Sequence, residues 1–594
     1  MSAHEKTDQA SGTVAASTSR RNFLKGAAAV AAAPAIVTAR KSRAQAVVLP
    51  ASPPPEPWKN ELPREIGTLE PVAALNPPPM AVANTAMGEC GRNAHQRFAE
   101  LAVNPVYYEL RAREEPDWEF NPAYPKQPVW GWVGSDGKVT APGPTILARY
   151  GRPAIVRIHN ELPQNHVGFG SPEISTHLHN AHVPAESDGF PGDFFSPSKA
   201  GPHLTLPGQW RDHFWPNVYA GIDRYGGIGD PREALCTCFY HDHNLDFTAP
   251  NVLKGLVGFY LLYDTIDSGN ERDPNPAALR LPAPPYDYPL LLQDMRFDAN
   301  GMLFYDQFHP EGILGDQVAV NGKIQPVLRV ARRKYRLRVV NGGPSRFYFL
   351  HLMRPVSGTM TQQPFTRIAT DGNLLPRPLF NQKTIEISPA ERADIVMDFS
   401  MYPIGTELFL VDRQIQTDTR GPDGVGQARQ LLKIVVDRNP PEADASRVPL
   451  LLRALPPITA AEIASAPVRV FAFDRTNGQW AINNELFDVD NPVMTITKGA
   501  YEIWELVNPS GGWHHPIHIH LEEGRILSMR DIEDNVDIPI PAWAKGRRDV
   551  YVLPPNTSMR VFVRFRDWGG KYVMHCHNLV HEDHAMMLRF DVVA

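Results

Sequence analysis

The chain has 594 residues, 43% of them hydrophobic and 21% charged, with a formal net charge of -6. That length supports several domains, each able to bury its own core. The mildly acidic, dispersed charge gives no basic stripe of the kind that nucleic acid or an anionic membrane surface selects, which excludes both as expected partners.

At the N-terminus, Ser19-Arg20-Arg21-Asn22-Phe23-Leu24-Lys25 forms a twin-arginine pattern ahead of an alanine-rich apolar stretch, the form of a bacterial Tat export signal. Ala44 and Ala46 fit an A-x-A-like cleavage site, which predicts a leader over residues 1–46 and a mature chain beginning near Val47. No later apolar run approaches the ~20 residues of a membrane span. The expected product is a periplasmic or secreted monomer, handed over by the Tat machinery and carrying no span.

Residues 47–95, with "LPASPPPEP" and "ALNPPPM", read as an extended proline-rich arm on the surface. The 58 prolines, about twice the ordinary share of ~5%, divide the rest into short runs that are mostly strand-like. "VYYELRAREEP", "PTILARYGRPAIVRIHNEL" and "VGFYLLYD" alternate apolar with polar residues between Gly, Pro and Asn, as sandwich strands do. Similar blocks recur at "DQVAVNGKIQPVLRVARRKYRLRVVNGGPSRFYFLHL" and at "WAINNELFDVDNPVMTITKGAYEIWELVNPS". The repetition predicts an all-β protein of three related β-sandwich domains, at 96–268, 285–445 and 465–594, joined by linkers near residues 264–285 and 437–467.

Four His-x-His pairs lie in the first and third blocks: His177/His179, His241/His243, His518/His520 and His575/His577. On a strand, residues two apart share a face, so each pair grips a metal cluster from one side while the residue between points away. Between His575 and His577 that residue is Cys576. One strand can thus serve two metal sites. A thiolate, two imidazoles and a weak thioether make the trigonal blue-copper set, which Cys576, His581, His515 and a methionine supply; spacing leaves Met586 and Met587 as alternatives. The eight paired imidazoles suit a cluster of three coppers, giving four copper ions in all, whereas zinc prefers four closed ligands or three plus water. His514 and His584 stand beside these positions and read as structural. With Cys576 committed to metal, Cys90, Cys236 and Cys238 allow at most one disulfide, from Cys90 to one of the other two.

"HHPIHIHL", "HCHNLVHEDHAMM", "STHLHNAHVPAESDG" and "CFYHDHNLDFTAPNVLKGLVGFYLLYD" resemble the multicopper oxidases from about Pro142 to the chain end, and within them the bilirubin oxidases and spore-coat-type laccases. The resemblance implies three cupredoxin-like Greek-key domains with a three-copper cluster between the first and third. It implies that His515, Cys576 and His581 bind type 1 copper with Met586 axial, and that His177 and His518 bind type 2 copper. His179, His241 and His577 would then hold one type 3 copper, and His243, His520 and His575 the other. Asp188 and Glu582 match acidic positions through which the family brings protons to oxygen, chemistry that four-proton reduction of O2 demands. The implied activity is one-electron oxidation of small reducing substrates, namely phenols, aromatic amines or tetrapyrroles, at an exposed edge of a type 1 ligand, coupled to reduction of O2 to two waters. Oxidation of Mn(II), Fe(II) or Cu(I) on the same scaffold is the alternative. Trp513, two residues before His515, is a candidate wall of the donor pocket.

Overall fold

A computed structural model describes residues 49–192, 195–196, 199–200, 204–307 and 309–594. The twin-arginine segment and its expected cleavage site lie outside the described residues. The six large sheets form three sandwiches in chain order. In the first, a five-stranded sheet holding Val106–Trp118 and Ala154–Asn160 faces a four-stranded sheet holding Thr176–His179 and Thr237–Asp242. Tyr108, Leu110 and Val156 of one sheet meet Ile146, Leu178 and Tyr260 of the other in one buried cluster. Seven- and six-stranded sheets enclose the second core, around Leu290, Val339, Leu350 and Leu410. In the third, a seven-stranded sheet packs on the five-stranded sheet that carries His515–Ile519 and Gly570–Cys576. Each of the six otherwise antiparallel sheets contains a parallel pair, such as Val106–Trp118 with Ala154–Asn160 and Met494–Thr497 with Met587–Val593. This recurring crossover marks all three units as the same Greek-key, cupredoxin-like fold.

The proline-rich arm is stitched down rather than merely laid on the surface. Isolated bridges join Glu61 to Val327, Thr68 to Thr145, Val72 to Tyr107 and Glu89 to Trp210. Leu62 enters the core of the second sandwich and Leu69 that of the first. The alternation of small apolar residues with prolines thus supplies anchors at intervals that an extended chain can span without hydrogen-bonding its prolines.

A buried ion-pair cluster of the middle sandwich reaches the strand that carries His241 by hydrogen bonds. Arg336 lies 2.6 Å from Asp394 and 2.8 Å from Asp267, and Arg338 lies 2.7 Å from Asp287. Arg338 also donates to Thr237 Oγ1 at 2.7 Å and to the Cys236 carbonyl at 2.8 Å. The expected disulfide is not formed. Cys90 Sγ lies 3.5 Å from Thr205 Oγ1, Cys236 Sγ 3.7 Å from Asp394 and Cys238 Sγ 3.8 Å from the Asn180 carbonyl. Three different neighbourhoods hold the three thiols. Burial pushes the Cys236 thiol up to about 12, so it stays protonated.

Candidate metal centre

Register and alternation decide which histidines meet. In the first sandwich, His241 lies directly opposite His177, and Phe239 opposite His179. In the third, His518 lies opposite His575 and Ile517 opposite Cys576. His515 and Ile517 share one face of their strand and His518 the other, because successive side chains alternate. Cys576 therefore points into the third sandwich with His515, while His575 and His577 point with His518 toward the first.

The inward group is compact. Cys576 Sγ lies 3.6 Å from His515 Nδ1 and 3.6 Å from His581 Nδ1, and all three side chains are buried. His581 is supplied by the short helix Leu579–Asp583. Met586 belongs to the same buried cluster as Cys576, whereas Met587 packs with Phe190, Leu245 and Val573 in another. The alternatives left open by spacing are thereby separated: Met586 shares the thiol's surroundings.

The outward group collects eight imidazoles in the seam. The Nε2 atoms of His243, His520 and His575 lie within 3.2–3.3 Å of one another. Their Nδ1 atoms face carboxylates: Asp188 Oδ2 accepts from His520 at 2.7 Å, and Glu582 places Oε1 3.2 Å from His243 and Oε2 2.9 Å from His575. Nδ1 of His241 meets the Asp242 carbonyl at 2.8 Å, that of His518 meets the Asp549 carbonyl at 3.0 Å, and that of His177 meets the Asp188 carbonyl. The hydrogen-bond network thus assigns the proton to Nδ1 and leaves lone pairs on Nε2 atoms that face one another. Neutral lone pairs that converge in a dry site repel unless a cation lies between them, which is the fit expected of a metal cluster. His177 Nε2, His518 Nε2 and both ring nitrogens of His577 have no hydrogen-bond partner among the described residues. His179 turns Nδ1 toward His241 Nε2 at 3.4 Å.

Burial favours the neutral, metal-binding form in eight of the rings of the two groups. It lowers His518 to about 4 and His515 to about 3, and holds His179, His241, His243, His520, His577 and His581 well below the usual imidazole range. Burial pushes the Cys576 thiol upward, so without a cation it remains a thiol; a coordinating metal reverses that outright.

Two residues here carry no sequence motif. Asp549 Oδ2 lies 2.8 Å from His179 Nε2 and 3.3 Å from His518 Nδ1, and the carboxylate pairs with Arg392 of the middle sandwich at 2.8 Å. The middle unit therefore helps to build the site, since its Arg392 guanidinium holds a carboxylate against two of the imidazoles. The available signal was the charged run Arg547-Arg548-Asp549 directly ahead of the buried strand Val550–Leu553. Replacing Arg392 with Met should leave Asp549 buried and unpaired, a loss of about 3–5 kcal/mol. Calorimetry is expected to show a lower first unfolding midpoint, and an unchanged midpoint would contradict this role.

The inward site also departs from expectation at its rim, because His515 and His581 are each 0% exposed. Trp480 lies on His581 with ring centroids 3.9 Å apart and donates to the Pro310 carbonyl at 2.6 Å. Half-buried Trp513 stands edge-on to both, 4.9 Å from Trp480 and 5.3 Å from His581. Among the described residues, neither imidazole edge is open to solvent.

Comparison with known proteins agrees with this geometry. Residues 464–594 match the "Multicopper oxidase" family model, and residues 17–37 match the twin-arginine translocation signal. The signal sends the chain to the periplasm or beyond, and no helix among the described residues is long and apolar enough to cross a membrane. The chain is 31% identical over 531 residues to the bilirubin oxidase of Albifimbria verrucaria, covering 88% of this chain and 80% of that protein. It is 29% identical to a laccase of Bacillus stratosphericus, covering 84% of this chain and 96% of the laccase. The structure of McoA multicopper oxidase from Aquifex aeolicus shares the fold, with a TM-score of 0.65 and 24% identity over 83% of this chain and 99% of that one. The thiol-centred set, the converging imidazoles and these likenesses together identify an exported, copper-dependent oxidoreductase: the chain belongs to the multicopper oxidases.

Proposed function

We propose that the protein is a laccase- or bilirubin-oxidase-like enzyme that draws four single electrons from phenolic, aromatic amine or tetrapyrrole donors and reduces O2 to two waters. On this reading His515, Cys576 and His581, with Met586, hold type 1 copper, and His177 with His518 holds type 2 copper. His179, His241 and His577 take one type 3 copper, and His243, His520 and His575 the other, for four ions in all. When bound, copper supplies the one-electron chemistry that carbon-based side chains lack. The protein's own part is to orient ligands, keep water out and supply protons. Asp188 Oδ2 accepts the Nδ1 proton of His520 and so commits that ring's Nε2 lone pair. Glu582, between His243 and His575, is the second carboxylate from which a proton can reach the reacting oxygen.

The observation that carries the reading is the placement of Cys576 on one face of its strand and His575 and His577 on the other, so that two donor sets of different chemistry are joined by single peptide links. The domains are read as 96–268, 285–445 and 465–594, with the protein working as a monomer. Oxygen-electrode measurements with 2,6-dimethoxyphenol should give four donors consumed per O2 and no hydrogen peroxide; two donors per O2 with peroxide released would refute it. The similarity to a bilirubin oxidase and to a laccase favours organic donors. Fe(II), Mn(II) or Cu(I) as the preferred donor would instead establish the metal-oxidase alternative.

A further inference from the structure

We infer that aromatic donors bind in a cavity between the second and third sandwiches, behind His514, rather than at the covered rim of the thiol-centred site. This rests on the reading of His515, Cys576 and His581 as the electron-accepting site and names where its substrate sits. The cavity has a volume of about 450 Å³, within the range of small-molecule sites, which favour domain seams and apolar walls with a few polar groups. Phe347, Phe349, Met529 and Trp543 supply aromatic and thioether surface, and Glu386 and His514 are among the polar residues of the wall.

Position makes this cavity relevant to oxidation. His514 precedes His515 in the chain and, by alternation, points away from Cys576 on the cavity side of the strand start. Across the ladder His515 pairs with Leu553, whose neighbours Val552 and Pro554 both line the cavity. A bound ring is therefore separated from the His515 imidazole by one strand layer. Among the described residues neither imidazole of the thiol-centred set is open to solvent, since both are fully buried and Trp480 with Pro310 covers His581.

Chemistry favours a neutral aromatic with a proton to donate. Glu386 makes no hydrogen bond or ion pair among the described residues, and partial burial raises its carboxyl above the usual range. Glu391, the second acid in the wall, is already engaged by Arg548 and by the Ser388 amide. One available carboxylate in an aromatic and methionine wall suits the O–H of a phenol or the N–H of an aromatic amine. A hydrated divalent cation would exchange its water for apolar surface and a single carboxylate, an unfavourable trade.

The test is binding without turnover: isothermal titration of the holoenzyme near pH 6 with 4-cyanophenol, a phenol too electron-poor to be readily oxidised. One site per chain is expected. Met529→Trp, which fills the cavity, should weaken it at least ten-fold, and Glu386→Gln about five-fold, both with copper content unchanged. The KM for 2,6-dimethoxyphenol should rise in parallel. Should Met529→Trp fail to fold, Glu386→Gln at an exposed position decides alone. Wild-type protein that binds no 4-cyanophenol, variants that bind it undiminished, a KM that ignores the loss of binding, or Fe(II) titrating Glu386 in its place would each overturn the assignment. Because the titration requires no turnover, an inactive but phenol-binding protein would count against the oxidase reading and not against the cavity.

Discussion

Cys576→Ser should remove the intense visible absorption and reduce donor oxidation below detection, while most of the copper stays bound. The thiol lies 3.6 Å from each of two imidazole nitrogens in a fully buried site, so it is the one soft, charge-donating ligand of that set. A serine hydroxyl fills nearly the same space and can hydrogen-bond one of the two rings, so the third sandwich is expected to survive. His575 and His577 face the opposite side of the strand and keep their neighbours. Metal analysis, absorption and oxygen uptake on the same preparation read all three outcomes. A variant that keeps both colour and activity would show that Cys576 is not a ligand.

Glu582→Gln carries the second large effect. The carboxylate is 0% exposed and spans His243 and His575, and a glutamine preserves its shape but carries no transferable proton. Loss of a general acid typically costs 10²–10⁴ in rate, so kcat should fall about 100-fold or more while the KM for the donor changes little. Stopped-flow separates the halves: reduction of the anaerobic enzyme by donor should run at the wild-type rate, and reoxidation by O2 should slow. Wild-type reoxidation would assign Glu582 a purely structural role. Asp188→Asn, whose carboxylate meets His520 at 2.7 Å, is the companion variant.

Much of this was readable in the sequence because strand alternation is a local rule. The odd position of His515 against the even positions of His518 and His520 sends the first inward and the other two into the seam, and the same parity separates Cys576 from His575 and His577. Spacing alone did not choose between Met586 and Met587; the resemblance pointed to Met586, and that methionine shares the buried cluster of Cys576 while Met587 lies in another. Asp549 and Arg392 escaped for a different reason. They meet across 157 residues of chain, and Arg392 comes from the block with no metal motif, so nothing local relates them. The lid of Trp480 and Pro310 over His581 arises likewise from contact between remote segments, 170 residues apart. The cavity behind His514 is a gap between two sandwiches, and gaps have no sequence pattern.

One inward thiolate set and one outward imidazole cluster should together hold four coppers, which metal analysis and the absorption spectrum of the purified, Tat-exported protein will read. About four copper ions per chain are expected, with an intense blue band that bleaches on anaerobic addition of donor and returns with air. A colourless protein holding one metal ion or none would contradict it.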